Sequence, residues 1–121
     1  MPPMKNLSFL RRLVFALTGV RTAWRAESSF KVHVAAALAV IGVLLWLRPA
    51  PLWWAIMALT IAFVLAAELF NTAVEVLADH MHPEQHPAIK AVKDCAAGAV
   101  LVATAAALGV AAAFAYDLLL R

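Results

Sequence analysis

Four polar side chains interrupt a long apolar stretch in a pattern that could do chemistry. In Ala67-Glu68-Leu69-Phe70-Asn71-Thr72-Ala73-Val74-Glu75-Val76-Leu77-Ala78-Asp79, the residues Glu68, Asn71, Glu75 and Asp79 recur at helical steps. At about 100° per residue they share one face about 80° wide and about 16 Å long, while Leu69, Phe70, Val74, Val76 and Leu77 take the rest. Hard oxygen donors of this kind suit Mg²⁺, which takes one or two carboxylates together with substrate phosphates. A carboxylate left without a metal can act as a general base. A single acid near the centre of a membrane span costs about 2.5–3.5 kcal/mol on insertion scales, so repeating it on one face calls for a compensating partner. Lys90, Lys93 and Asp94 supply one set of partners, and Glu27, the only acid in the first 67 residues, supplies another. The competing reading is a set of interhelical salt bridges, Lys93 with Asp79 for example. Two lysines cannot neutralise all of Glu27, Glu68, Glu75, Asp79 and Asp94.

Other constellations are weaker. His80, His82 and His86 form H-x-H-x-x-x-H, a spacing that could ligate zinc, but no cysteine lies nearby and Pro83 and Pro87 interrupt the run, which favours solvated loop histidines. His33, near a membrane interface, could pair with a carboxylate. Nothing matches G-x-x-x-x-G-K-[ST], and four scattered glycines cannot build a phosphate-cradling loop. A bound nucleotide would have to be held by metal, lysines and polar side chains.

The elements that must position these groups are membrane helices. The chain has 121 residues, 65% of them hydrophobic and 14% charged, with a mean hydropathy of +0.88. Those values exclude an ordinary water-soluble globule and a disordered chain alike. The single cysteine, Cys95, excludes an intramolecular disulfide framework. Three spans are predicted, at about 29–47, 52–78 and 93–118, within one domain covering 1–121. Lys31 snorkels at the start of the first, Arg48-Pro49-Ala50-Pro51 ends it, and Trp53 and Trp54 anchor the second at a membrane surface. Residues 4–27 read as a basic amphipathic helix on an anionic leaflet, with Leu10, Leu13, Val14, Leu17 and Trp24 on one side and Lys5, Arg11, Arg12, Arg21 and Arg25 largely on the other. Eight basic residues flank one membrane face and two, Arg48 and Arg121, the other, so the amino terminus and the His80–Asp94 region are expected in the cytoplasm and the carboxyl terminus outside it. The alanines and glycines of the third span are small enough for close helix contact. The net charge of +3 is accounted for by lipid head groups, with no call for nucleic acid.

Three segments together resemble the prokaryotic diacylglycerol kinase and undecaprenol kinase family: R-T-A-W-R-A-E-S-S-F-K around Glu27, A-E-L-F-N-T-A-V-E-V-L-A-D from Ala67, and H-P-A-I-K-A-V-K-D-C-A-A-G-A-V-L from His86. The resemblance implies an all-α membrane protein with an amino-terminal surface helix and three transmembrane helices, assembled as a homotrimeric bundle in the bacterial inner membrane with composite sites between subunits. It implies transfer of the ATP γ-phosphate to a lipid hydroxyl, with Mg²⁺ as cofactor. Glu68 matches the family's catalytic base, and Glu27 and Glu75 its metal-binding carboxylates. Asn71, Asp79, Glu84, Gln85, His86, Lys93 and Asp94, together with Glu27 and Glu75, match its nucleotide contacts. Arg21, Trp24, Ser29, Phe30, Lys31, Val32 and His33 fall near its lipid entrance beside Glu68, and Ala97 keeps the small residue expected at that turn.

Departures bear on the lipid. Phe15 stands where the diacylglycerol-kinase branch often has Tyr, Arg11 and Arg12 do not align cleanly with that branch's amino-terminal arginine, and His33 replaces an acid typical of it. F-K-V-H and K-D-C-A-A-G-A-V-L look more like the undecaprenol-kinase branch. Two other classes stay open on the residues themselves. A small proton- or cation-coupled transporter subunit would also carry intramembrane carboxylates. A holin-like or scaffolding protein would find the acidic stripe expendable.

Overall fold

The computed structural model describes residues 7–120, which form four helices: α1 (Phe9–Ala26), α2 (Ser28–Leu47), α3 (Pro51–Met81) and α4 (Pro87–Leu119). The expected start of the surface helix at residue 4, and the charges of Lys5 and Arg121, lie outside the described residues. Three helices, α2 to α4, are long and apolar enough to cross a membrane. Large apolar side chains such as Leu38, Trp46, Leu59, Phe63 and Leu101 face outward from them, as a surface bathed in lipid or covered by further helices requires.

Each break between helices has a local cause. Ser8 caps α1 through its hydroxyl, which accepts from the Arg11 N–H at 3.4 Å. Glu27 then adopts an extended backbone (φ −124°) and ends α1 while starting α2, its own N–H still bonded to the Ala23 carbonyl. Arg48 ends α2 in the left-handed region at φ 47°, before Pro49 forbids continuation. Pro51 and Pro87 both sit in the first turn of their helices, where a missing N–H costs nothing. For this reason α4 begins at Pro87, six residues before the position expected for the third span. His86 is its N-cap, so the loop after α3 holds only residues 82–86.

The core is small and lies at the end of the bundle remote from the acidic stripe. Leu44, Met57 and Phe114 are buried together, with Trp53 and Trp54 packed against them. Trp53 meets Phe114 edge to face at 4.9 Å and donates its indole N–H to Asp117 Oδ2 at 3.0 Å. Trp53, expected as a membrane-surface anchor, is therefore turned inward by a half-buried acceptor on α4. Helices α3 and α4 form the most extensive pairing. The glycines of α4 are not what brings them together, since a Cβ at Gly98 or Gly109 would meet open space.

Helix α3 runs for 31 residues. That is about 46 Å of helix, against about 30 Å of hydrocarbon. Glu68 sits about 26 Å along it and Glu75 about 36 Å, so the stripe begins near one edge of the hydrocarbon and continues beyond it.

Candidate functional site

The stripe grades from enclosed to open along α3. Glu68 is 1% exposed, Asn71 8%, Glu75 is half-buried and Asp79 is exposed. Two residues one turn apart on α2 close over Glu68. Ser29 donates its hydroxyl to Oε2 at 3.1 Å, and His33 Nε2 stands 3.1 Å from Oε1. The His33 contact is an ion-pair distance without hydrogen-bond alignment, so Oε1 is buried with no hydrogen-bond partner. Asn71 Oδ1 one turn on is likewise buried and unpartnered. Thr72 returns its hydroxyl to the Glu68 backbone carbonyl at 3.0 Å, as threonines inside helices commonly do. Buried polar atoms without partners are uncommon in folded proteins, so two within a turn single out this stretch of α3.

Glu27 and Glu75 form the second part. Glu27 makes no capping bond to α2, and its carboxyl lies within hydrogen-bond reach of Glu75. That shared hydrogen bond holds the Glu27 carboxyl above its ordinary range; partial burial and the charges of Glu75 and Glu68 push the same way. Among the described residues, no group of three or more His, Cys, Asp or Glu could hold a metal ion. The candidate donor set there is the Glu27 and Glu75 carboxyls, with Lys93 close enough to interact electrostatically with Glu75. That fits Mg²⁺, which needs only one or two carboxylates when substrate phosphates complete its shell, and it does not fit an all-protein zinc or calcium cage.

The lysines divide as the salt-bridge reading anticipated, but only for the aspartates. Lys93 pairs with Asp79 across the α3–α4 interface, and Lys90 pairs with Asp94 at 2.5 Å along one face of α4. Neither of these lysine pairs includes Glu27, Glu68 or Glu75. Beside the paired aspartates, the 82–86 loop and the first turns of α4 enclose an open cavity of about 540 Å³, lined in part by Asp79, Glu84, Gln85, His86, Lys93 and Asp94. A second, apolar recess of about 120 Å³ lies between α2, α3 and α4, with His33 in its wall and Ala37, Met57 and Val64 deeper along it.

The remaining expected residues are less concentrated. Phe30 is buried at 3%, whereas Val32 is exposed. Lys31 lies 5.6 Å over the Trp24 ring, tying α1 to the start of α2. Arg21 and Ala97 are exposed.

Comparison with known proteins identifies the family. A family model described as prokaryotic diacylglycerol kinase matches residues 14–115. The chain is 38% identical over 94 residues to a protein of Bacillus subtilis named undecaprenol kinase, covering 78% of this chain and 76% of that one. It is 38% identical over 95 residues to a diacylglycerol kinase of a Synechocystis species, where the match covers 78% of this chain but only 54% of the relative. A diacylglycerol kinase of Helicobacter pylori is 32% identical over 103 residues, 83% of this chain and 80% of its own.

Proposed function

From the premise that the chain belongs to the prokaryotic diacylglycerol kinase family and is a membrane lipid kinase, we propose how its side chains divide the work and which lipid they serve. The transporter reading finds no support in that family. Glu68 is the general base, and the observation that carries this role is its burial with Oε1 free of any hydrogen bond while Ser29 holds Oε2. In the reaction Oε1 accepts the proton of a lipid hydroxyl, the hydroxyl oxygen bonds to the γ-phosphorus of ATP, and the bond to the β-phosphate oxygen breaks to release ADP. His33 keeps the Glu68 carboxylate on station from the neighbouring helix, and the Asn71 amide oxygen accepts from the incoming lipid head or from a water that accompanies it.

Glu27 and Glu75 would hold Mg²⁺, which supplies charge neutralisation to the nucleotide phosphates when bound. Lys93, fixed by Asp79, adds positive charge at the edge of the cavity beside the 82–86 loop, where Glu84, Gln85, His86 and Asp94 receive the nucleotide. The lipid approaches from the bilayer past Arg21, Trp24 and the first turn of α2. Its first carbons lie in the alanine-lined recess below His33, so that only the head group travels to Glu68. The working protein is a homotrimer in the bacterial inner membrane, with the site on the cytoplasmic side. The broad apolar faces left outward by three spans supply the surface for that assembly.

Undecaprenol is the acceptor this reading favours over diacylglycerol, because His33 stands at Glu68 where the other branch carries an acid. The test offers both lipids side by side to purified protein with Mg-ATP and follows labelled phosphate into the organic phase. Preferential labelling of undecaprenol supports the assignment, and preferential labelling of diacylglycerol reverses it. Labelling of neither lipid would remove the kinase mechanism drawn here.

A further inference from the structure

The 82–86 loop holds two histidines whose protons are placed by the backbone in opposite ways. His82 Nδ1 lies 2.8 Å from the Glu84 carbonyl oxygen, which can only accept, so Nδ1 carries the proton. His86 Nδ1 accepts the Ala88 N–H at 3.0 Å as the N-cap of α4, so that nitrogen is bare and the ring's proton sits on Nε2. Each ring has one nitrogen left for a ligand. For neutral His82 it is a lone pair, and for His86 it is an N–H. The rings stand 5.4 Å apart at 62°, and both line the 540 Å³ cavity.

This arrangement disposes of the zinc reading of H-x-H-x-x-x-H for the pair. His86 could give Nε2 to a metal only by moving its proton to Nδ1 and abandoning the helix cap. A donor beside an acceptor instead complements a ligand edge that carries an acceptor beside a donor.

Resting on the reading of this cavity as the nucleotide site, we propose that His82 and His86 read the base of the phosphoryl donor and select a 6-aminopurine. The His82 lone pair accepts from the exocyclic amino group of adenine, and His86 Nε2–H donates to the neighbouring ring nitrogen. A guanine in the same pose turns its 6-oxo lone pairs against the His82 lone pair, and its neighbouring atom is the acceptor N7 on one edge or the donor N1–H on the other, so neither edge repeats adenine's donor beside an acceptor. Lys93, six residues beyond Pro87 on α4, lines the same cavity. Neither histidine is within the acidic stripe, so base choice is separate from proton transfer.

The experiment measures lipid phosphorylation by the full-length protein in detergent with Mg-ATP and with Mg-GTP, for the wild type, His82→Phe and His86→Asn. Hydrogen bonds between neutral partners in a partly open cavity are worth about three- to tenfold each in KM. The wild type should show a KM for GTP about tenfold above that for ATP. His82→Phe should raise the ATP KM about three- to tenfold and bring the GTP to ATP ratio to within about threefold of unity. His86→Asn retains a good N-cap and should raise the ATP KM over a similar range, with helix content by circular dichroism unchanged. An active wild type that uses ATP and GTP with equal KM would overturn the inference, as would a ratio that survives His82→Phe. A wild type that phosphorylates no lipid with either nucleotide would strike instead at the underlying kinase site.

Discussion

The two ends of α3 treat polar atoms by different standards. At the Trp53 end, the indole N–H has its carboxylate on α4, the ring has Phe114 edge-on, and Leu44 and Met57 fill the space between. At the other end, Glu68 Oε1 and Asn71 Oδ1 are buried without hydrogen bonds, and Glu27 and Glu75 bring two acidic groups together. Buried polar groups are normally satisfied, and each one left bare costs about 1–3 kcal/mol. One end of the helix is arranged for stability, and the other keeps unused hydrogen-bonding capacity. The contrast lies within a single continuous helix, so helix propensity does not explain it.

The largest effect should come from removing that capacity at its most enclosed point. Glu68→Gln keeps the size of the side chain and an oxygen for the Ser29 hydroxyl, but it loses the ability to take a proton. Turnover should fall by about 10²–10⁴-fold, the usual contribution of general base catalysis, while the size of the protein–detergent particle stays the same. Full lipid phosphorylation by this variant would exclude Glu68 from proton transfer and make its burial a structural accident.

A second substitution should move stability and activity in opposite directions. Glu75→Gln removes the acid whose shared hydrogen bond and, to a lesser degree, charge hold the Glu27 carboxyl above its ordinary range, while an amide at 75 can still hydrogen-bond to Glu27. Without metal, the variant should be more stable than the wild type by about 1 kcal/mol, seen as a higher Tm in detergent. The Mg²⁺ concentration for half-maximal activity should rise by tenfold or more, on the order of losing one carboxylate from a two-carboxylate site. A variant that loses stability and leaves the Mg²⁺ requirement unchanged would show that the pair is structural and that the metal lies elsewhere.

Much of this contrast was legible in the sequence, and the missing part has a physical reason. The common face of Glu68, Asn71, Glu75 and Asp79 follows from helical periodicity alone, since all four belong to one continuous helix. Which of them would be neutralised does not follow. Lys93 reaches Asp79 because α4 begins at Pro87, and that start depends on His86 as the cap, a local choice hidden in a loop of prolines and histidines. The enclosure of Glu68 by Ser29 and His33 depends on the register between α2 and α3. No periodicity within either helix encodes that register. Trp53 shows the same limit from the other direction: a tryptophan at the start of a span reads as an interfacial anchor, and only the position of Asp117, 64 residues away, turns it inward.

The smallest predicted effect tests whether the two ends are independent. Trp53→Phe retains an aromatic ring against Phe114 and deletes only the indole N–H that Asp117 accepts. The site is half-buried, so the loss should be about 1 kcal/mol, near the typical net value of a hydrogen bond, measured as a modest drop in Tm. The distance along α3 from Trp53 to Glu68 is about 22 Å, beyond the range over which effects of separate substitutions usually couple. Combined with Glu75→Gln, the two stability changes should therefore add to within about 0.5 kcal/mol, and the Mg²⁺ requirement of the double variant should equal that of Glu75→Gln alone. Non-additivity of 1 kcal/mol or more would mean that α3 transmits strain from its packed end to its catalytic end, because no shared contact joins Trp53 to Glu75.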